Sequence, residues 1–224
     1  MPLLDSLISV LAPHSCVSCG REGKLLCAYC LPDAFITLPS RCYRCKRITQ
    51  DFAVCDKCKI SVRPRHVWVR TYYDGNAKKL LQSYKFERAR SASQTISEAM
   101  LEVLPYLNSK TLIVPVPTAT SRVRQRGYDQ AILMAKNIAR SRNYEYSHVV
   151  SHLYQSRQVG ASRQKRLAQL NDSFVVTKPD IVTGREILLI DDVVTTGATL
   201  EAMTQVLKKS DAKKVNALIF SQKQ

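Results

Sequence analysis

The sequence contains no long apolar stretch and no basic leader segment. No uninterrupted apolar run approaches the roughly 20 residues that a membrane-spanning helix needs. The first ten residues carry Asp5 in place of the positive charges that open a secretory signal. We therefore expect no membrane span and a cytoplasmic location. Hydrophobic residues still make up 45% of the chain, which is enough to bury an ordinary globular core.

Glycine is also scarce, with seven in 224 residues. None of them belongs to a Gly-x-x-x-x-Gly-Lys-[Ser/Thr] loop or to a Gly-x-Gly-x-x-Gly turn. The first pattern cradles phosphates in nucleotide hydrolases, and the second binds the pyrophosphate of dinucleotide cofactors. The sequence therefore excludes both of these nucleotide-binding classes.

Acidic residues are outnumbered, since 18 Asp and Glu stand against 34 Lys and Arg, for a formal net charge of +16. An excess of this size attracts polyanions such as nucleic acid, phosphorylated metabolites or an acidic partner. Charge alone does not distinguish among them, so the choice depends on local motifs.

Cysteine is absent after residue 58, and all eight cysteines form Cys-x-x-Cys pairs. The pairs are Cys16 with Cys19, Cys27 with Cys30, Cys42 with Cys45, and Cys55 with Cys58. A two-residue spacer lets both thiolates of a pair face one cation, and two pairs complete a tetrahedral shell around Zn²⁺. A disulfide scaffold would need an oxidising compartment, and four copies do not resemble one catalytic dithiol. The eight ligands predict two structural zinc sites.

Two ways of pairing the cysteines remain open. Sequential pairing joins the first two pairs and the last two pairs into two zinc ribbons, whereas interleaved pairing gives a cross-braced module. Spacers of seven and nine residues favour sequential ribbons, because short loops close at a lower entropic cost. We predict a metal-dependent module over residues 1–65, with a linker at residues 38–40, and a second domain over residues 66–224.

Beyond the cysteines, the pattern alternates between strands and helices. Predicted strands cover residues 66–73, 111–116, 149–153, 186–190 and 214–220. Predicted helices run in pieces from a cap at Asn76 to residue 104, and cover residues 127–142 and 198–208. Residues 155–172 are polar and basic and indicate a long exposed loop. The fold class is α/β, a parallel sheet flanked by helices, with an N-terminal cysteine-rich zinc-ribbon module.

The strand at residues 186–190 carries the clearest functional signal. Residues 187–190 are all apolar, as in a strand covered on both faces of a parallel sheet. Asp191 and Asp192 follow at its carboxyl end, where α/β sheets bind ligands. The carboxylates can hold a ribose diol with Mg²⁺ nearby, and the next loop can hold a phosphate through backbone N–H groups and hydroxyls. The loop residues are Val194, Thr195, Thr196, Gly197, Ala198 and Thr199.

Residues 187–199 resemble the signature of type I phosphoribosyltransferases, which bind 5-phosphoribosyl pyrophosphate (PRPP). Further matches lie in Tyr84-Lys85-Phe86, Val114-Pro115-Val116-Pro117, Arg126-Gly127-Tyr128-Asp129-Gln130 and residues 164–171. Together with the four cysteine pairs, these segments resemble the ComF family over nearly the whole chain. The resemblance implies a type I phosphoribosyltransferase fold behind a double zinc ribbon.

The resemblance also implies roles for individual residues. Asp191 and Asp192 would act as catalytic residues that hold the ribose hydroxyls, residues 194–199 would hold the 5-phosphate, and residues 117–122 would form the pyrophosphate loop. The implied PRPP partners outside the phosphate loop are Lys85, Thr118, Arg122 and Arg126. A basic loop with Arg157, Arg163, Gln164, Lys165 and Arg166 would close over PRPP, and Arg163 and Arg166 count among the catalytic residues.

The implied reaction displaces pyrophosphate from ribose C1 through an oxocarbenium-like state, which Mg²⁺ and basic side chains stabilise. The protein would be a phosphoribosyltransferase whose acceptor the sequence does not name, with the zinc module as a candidate acceptor site or docking face. The family's association with natural transformation implies single-stranded DNA and a helicase-like competence protein as partners. The alternative is a non-catalytic component of the DNA uptake machinery that binds single-stranded DNA or protein.

One position departs from the family pattern, because Asp129 stands where an asparagine is expected after Arg-Gly-aromatic. A carboxylate would oppose a bound phosphate. We therefore predict that Asp129 caps a helix rather than binding a ligand.

Overall fold

The computed structural model describes residues 14–60, 62–86, 91–153 and 173–224. Its strands are β1 (His14–Ser15), β2 (Glu22–Gly23), β3 (Val67–Tyr72), β4 (Leu112–Pro115), β5 (Glu145–Tyr146), β6 (Val150–His152), β7 (Phe174–Val176), β8 (Glu186–Val194) and β9 (Lys214–Gln222). Its helices are α1 (Gly75–Phe86), α2 (Ala92–Leu101), α3 (Thr120–Arg126), α4 (Gln130–Arg142), α5 (Pro179–Val182) and α6 (Ala198–Lys209). Within these ranges, no helix has the length and apolar character needed to cross a bilayer.

Five strands form one parallel sheet in the order β3-β9-β8-β4-β5. Helices α2 and α4 pack on each other and against this sheet, while α6 packs against β9 and β7. The predicted fold class, a parallel sheet flanked by helices behind a cysteine-rich module, is confirmed.

Strand β8 lies in the middle of the sheet, as its continuous apolar run predicts. Ile187, Leu188, Leu189 and Ile190 are fully buried between β9 and β4. The strand is longer than the predicted 186–190, because its pairing with β9 continues through Asp191 and Val193 up to Val194. The two aspartates are therefore strand residues and not loop residues.

Two predicted helix boundaries are wrong. Helix α1 begins at Gly75, so Asn76 lies inside the helix, where its amide donates a hydrogen bond to Ser18 Oγ at 3.4 Å. The helix predicted for residues 127–142 is two helices, and Gly127 with φ +80° ends α3 instead of starting a helix. The cap of α4 is Asp129, whose carboxylate accepts from the Ile132 N–H at 3.3 Å, as predicted.

The strand predicted at residues 149–153 exists as β6, but it pairs antiparallel with β7 outside the main sheet. The outer neighbour of β4 in the main sheet is β5, which contains two residues. The predicted loop at residues 155–172 lies outside the described residues.

The cysteine-rich module packs against the sheet. Phe35 meets Phe220 of β9 edge-on, with ring centroids 5.2 Å apart. Leu38, in the segment predicted as a linker, is buried. Trp68 of β3 donates through Nε1 to Asp51 Oδ1 at 2.8 Å. Module and sheet therefore share apolar and polar contacts.

Candidate functional site

An acidic pair lies at the carboxyl edge of the sheet, near the end of β8. Asp192 forms a salt bridge through Oδ2 with the Nζ of Lys85, which lies in the last turn of α1. Both side chains are largely buried. The Asp192 N–H donates to Asp191 Oδ1 at 2.8 Å. Lys85, predicted among the pyrophosphate partners, is thus placed on the acidic pair.

The two carboxyl groups differ in their electrostatic surroundings. Burial raises the pKa of Asp191 to about 8, and the negative charge of Asp192 raises it in the same direction. At neutral pH, Asp191 is therefore mostly protonated, while Asp192 faces the Lys85 ammonium. A neutral carboxyl group beside an ionised one can both donate to and accept from the two hydroxyls of a diol.

The loop after β8 forms an open turn into α6. Gly197 is the N-cap of α6 and has φ +82°, a conformation that side chains other than glycine rarely adopt. Thr195 and Thr196 are exposed, and the Thr196 hydroxyl oxygen accepts from the Ala198 N–H at 3.4 Å. Backbone N–H groups at such a helix start favour anions. The predicted phosphate loop therefore has the geometry of an anion site.

The loop after β4 lies next to this turn, because β4 and β8 are neighbouring parallel strands with Pro115 opposite Ile190. The Thr118 N–H donates to Asp129 Oδ2 at 3.1 Å, so the cap of α4 also fixes this loop. The predicted turn at residues 117–122 is shorter than expected, since α3 begins at Thr120.

Two predicted pyrophosphate partners belong to α3. Arg122 is exposed in the first turn of the helix. Arg126, in its last turn, donates through Nη1 to Gln130 Oε1 at 2.8 Å. Arg126 is thus engaged by the protein, whereas Arg122 lies open to solvent on the side of the β4 loop.

The eight cysteines form two separate clusters, and none of them is in a disulfide. The sulfurs of Cys16, Cys19, Cys27 and Cys30 lie within 4.8 Å of one another, as do those of Cys42, Cys45, Cys55 and Cys58. Sequential pairing is therefore confirmed. We name residues 16–30 ribbon 1 and residues 42–58 ribbon 2.

Both clusters have the dimensions of a zinc site. Four sulfurs at about 2.3 Å from a tetrahedral Zn²⁺ lie about 3.8 Å from one another. Cys19 and Cys27 have their sulfurs 3.8 Å apart, and Cys45 and Cys55 have theirs 3.5 Å apart. The Arg47 N–H lowers the pKa of the Cys45 thiol to about 7, which favours the thiolate that binds metal.

Comparison with known proteins agrees with this architecture. A family model described as "Phosphoribosyl transferase domain" matches residues 128–224. Competence protein ComFC of Bacillus subtilis is 29% identical over 214 residues, which cover 90% of this chain and 81% of the relative. Competence protein F of Haemophilus influenzae is 24% identical over 208 residues, covering 82% of this chain and 90% of the relative. The resemblance to the ComF family is confirmed.

A further relative of this chain is DNA utilization protein YhgH of Escherichia coli K12. It is 27% identical over 195 residues, which cover 76% of this chain and 85% of the relative.

Part of the predicted site falls outside the described residues. The predicted basic loop belongs to this part. Its members are the catalytic candidates Arg163 and Arg166, together with Arg157, Gln164 and Lys165. Strands β6 and β7 flank that segment on either side in the sequence.

Sequence reasoning missed the contact between ribbon 2 and the phosphate loop. Tyr43 lies against Gly197, and Arg44 donates through Nη1 to the Thr196 carbonyl oxygen at 2.6 Å. Both residues stand between two cysteines, where the spacing of the ligands dominates the pattern. No local signal in the sequence relates them to a loop more than 150 positions away.

Proposed function

We propose that the carboxyl edge of the sheet binds PRPP with Mg²⁺, and that the chain is a phosphoribosyltransferase-like component of DNA uptake. One observation carries the proposal. The acidic pair of β8 and the open glycine-containing turn into α6 lie side by side at the end of the central strand. Ribose 5-phosphate carries both a diol and a phosphate, the two groups that these features suit.

Each group of residues at this edge would contact a different part of PRPP. Asp191 and Asp192 would hold the ribose hydroxyls, and residues 194–199 would hold the 5-phosphate. Lys85 would hold the Asp192 carboxylate in place through their salt bridge. Arg122 and the side chain of Thr118 would face the pyrophosphate.

Departure of pyrophosphate leaves positive charge on the ribose ring, and carboxylates beside the ring stabilise that charge. Bound Mg²⁺ would supply charge neutralisation for the leaving pyrophosphate. Arg163 and Arg166 would close over the ligand and exclude water. The acceptor that attacks C1 is open, and the ribbons, which border the site, are the candidate part of the chain for recognising it.

The site is tested by calorimetric titration of PRPP with Mg²⁺ into the protein. Wild-type protein should bind, and an Asp191→Asn, Asp192→Asn double variant should lose most of the signal, because it lacks the carboxylate charge that attracts Mg²⁺ and strengthens the bonds from the diol. The matched control is Asp180→Asn with Glu186→Gln, which removes two carboxylates near the other end of β8. Absence of binding to wild-type protein, or equal loss in both double variants, would remove the proposal.

The names of the relatives support a role in DNA uptake, since two are competence proteins and one is a DNA utilization protein. A helicase-like competence protein is the protein partner we propose for this pathway. We further propose that each of the two cysteine clusters holds one Zn²⁺ as a structural ion.

A second candidate function, binding of single-stranded DNA, is favoured by a basic cavity of about 830 Å³. Its charged lining residues are Lys59, Arg63, Arg65, His66, Lys208 and Lys214. No carboxylate appears among the described residues that line it. Burial and the nearby charge of Arg65 lower the pKa of Lys208, so the cations crowd one another. A phosphate backbone would relieve this repulsion.

Fluorescence anisotropy of a labelled single-stranded oligonucleotide tests this reading across a range of salt concentrations. An Arg65→Gln, Lys214→Gln double variant should bind more weakly and with a salt slope smaller by about 1.4, since each lost phosphate contact on single strands accounts for about 0.7. Lys24→Gln with Lys178→Gln removes the same charge from exposed positions outside the cavity. Equal effects of both double variants would assign the affinity to net charge and sink the cavity as the site.

A further inference from the structure

The ring of Tyr43 occupies the space directly beside Gly197. A Cβ added to Gly197 would lie 2.3 Å from Tyr43 Cε2, which is closer than any real contact. Tyr43 is 2% exposed, so the ring has no room to withdraw. The glycine at the start of α6 therefore serves two needs, a positive φ and close approach of the ring from ribbon 2.

Arg44, the next residue, holds the peptide group between Thr196 and Gly197. Its Nη1 donates to the Thr196 carbonyl oxygen at 2.6 Å. In a trans peptide the carbonyl oxygen and the N–H point in opposite directions, and no peptide bond in the described structure is cis. A guanidinium that draws the Thr196 oxygen to one side therefore turns the Gly197 N–H to the other.

The Gly197 N–H has no acceptor among the described residues. An N–H at a helix N-cap that the protein leaves unpaired is available to an anion. Arg44, which lies outside the phosphate loop, thus orients the Gly197 N–H within it.

Two more bonds fasten ribbon 2 to the same place, and a third comes from Arg63, which also donates through Nη1 to the carbonyl oxygen of Cys58 in ribbon 2. Arg63 Nε donates to Glu201 Oε1 at 2.8 Å, and the Tyr43 hydroxyl donates to the same oxygen at 3.3 Å. Gln222 Nε2, at the end of β9, donates to the Tyr43 carbonyl oxygen at 2.8 Å in a buried position. Glu201 lies in the first turn of α6. The ribbon is therefore fixed to α6, which follows the phosphate loop, and to the end of β9, where Gln222 pairs with Val194 of β8.

We propose that ribbon 2 forms part of the phosphate site, and that Tyr43 and Arg44 are positioning residues for the phosphate loop. This inference rests on the proposed PRPP function. Tyr43 and Arg44 are the two residues between Cys42 and Cys45. The cysteine cluster therefore sets the position of the phosphate loop through the turn between Cys42 and Cys45. Ligand binding at the carboxyl edge of the sheet then depends on an ordered ribbon 2.

The test compares three ligands on Arg44→Gln by calorimetry. PRPP with Mg²⁺ and ribose 5-phosphate both carry the 5-phosphate, whereas inorganic pyrophosphate with Mg²⁺ does not. We expect affinity for the first two to fall by about tenfold, as for loss of one hydrogen bond made by a charged group, and affinity for pyrophosphate to stay unchanged. Arg44→Lys, which keeps a cationic donor, should recover part of the loss.

The matched control is Arg47→Gln, which removes an exposed arginine from the same ribbon and should leave all three affinities unchanged. Tyr43→Phe keeps the ring against Gly197 and should bind the 5-phosphate ligands nearly as wild type, whereas Tyr43→Ala should bind them more weakly. Thermal unfolding of each variant, with binding measured well below its midpoint, separates positioning from misfolding.

The outcomes also separate this inference from the proposed function. If wild-type protein does not bind PRPP, the proposed function fails. If wild-type protein binds PRPP and Arg44→Gln binds all three ligands equally well, ribbon 2 has no part in the phosphate site. Equal weakening for all three ligands would mean a general structural effect and would also overturn the inference.

Discussion

Asp191 and Asp192 are adjacent in one strand, yet the protein treats their charges differently. Side chains of neighbouring strand residues point to opposite faces of the sheet. Asp192 therefore reaches Lys85 of α1, while Asp191 meets burial and the charge of Asp192. Asp191 is thus mostly neutral at pH 7, and ionising it in the folded protein costs free energy.

The raised pKa of Asp191 should be visible in how the free energy of unfolding depends on pH. The pKa of Asp191 is about 8 in the folded chain against an ordinary 3.8. Between these values the folded chain holds a proton that the unfolded chain has released, so the free energy of unfolding falls as pH rises toward 8. Asp191→Asn cannot ionise, and its amide oxygen can still accept the Asp192 N–H. We therefore expect a flatter stability curve for this variant.

Urea unfolding of wild-type protein and of Asp191→Asn from pH 6 to pH 9, with zinc present, gives the free energy of unfolding of each as a function of pH. The difference between them isolates Asp191 from other titrating groups. Asp180→Asn, a change at an exposed carboxylate, should leave the wild-type slope intact. Parallel curves for wild type and Asp191→Asn would show that Asp191 is ionised throughout.

At the scale of elements, the sequence predicts best where one local pattern decides the structure. The apolar run of β8 places it between two neighbours, and its position at the centre of the sheet follows. The cap at Asp129 is likewise a local effect, since the carboxylate and the Ile132 N–H are three residues apart. The cysteine spacing predicts sequential clusters for the same reason, because each loop closes within one ribbon.

Elements that depend on distant contacts were mispredicted. Strand β5 has two residues, too few for any alternation, and it is held only by pairing with β4. Strand β6 shows a strand pattern, but its partner β7 is more than 20 residues further along the chain. The extension of β8 through the acidic pair also comes from pairing with β9. The position of Tyr43 on Gly197 belongs to this class, so the ribbon side of the candidate site could not be predicted.

At the scale of the whole molecule, the two ribbons are attached unequally. Ribbon 1 reaches α1 through exposed hydrogen bonds, from Asn76 to Ser18 and from Lys79 to the Val17 carbonyl, each 3.4 Å long. Both ribbons place side chains in the hydrophobic core, with Leu25 and Leu26 from ribbon 1 and Tyr43 from ribbon 2, but ribbon 2 also makes a buried hydrogen bond to Gln222. Buried contacts hold far more of the folding free energy than exposed polar ones. Disorder in ribbon 2 should therefore spread further into the sheet than disorder in ribbon 1.

Single ligand substitutions test this asymmetry, since each cluster has four cysteines and loses its tetrahedral shell with one. Native mass spectrometry should find two zinc ions on wild type and one on either Cys30→Ser or Cys55→Ser. Calorimetric unfolding should show the main transition lowered on the order of 10 °C in Cys55→Ser and less in Cys30→Ser, because Tyr43 of ribbon 2 is bonded to both α6 and β9. Equal shifts would mean that both ribbons are coupled to the sheet to the same degree, and a main transition that neither change moves would mean that the ribbons unfold independently of the sheet. The order of the two shifts thus reports whether ribbon 2 and the phosphate loop form one cooperative unit.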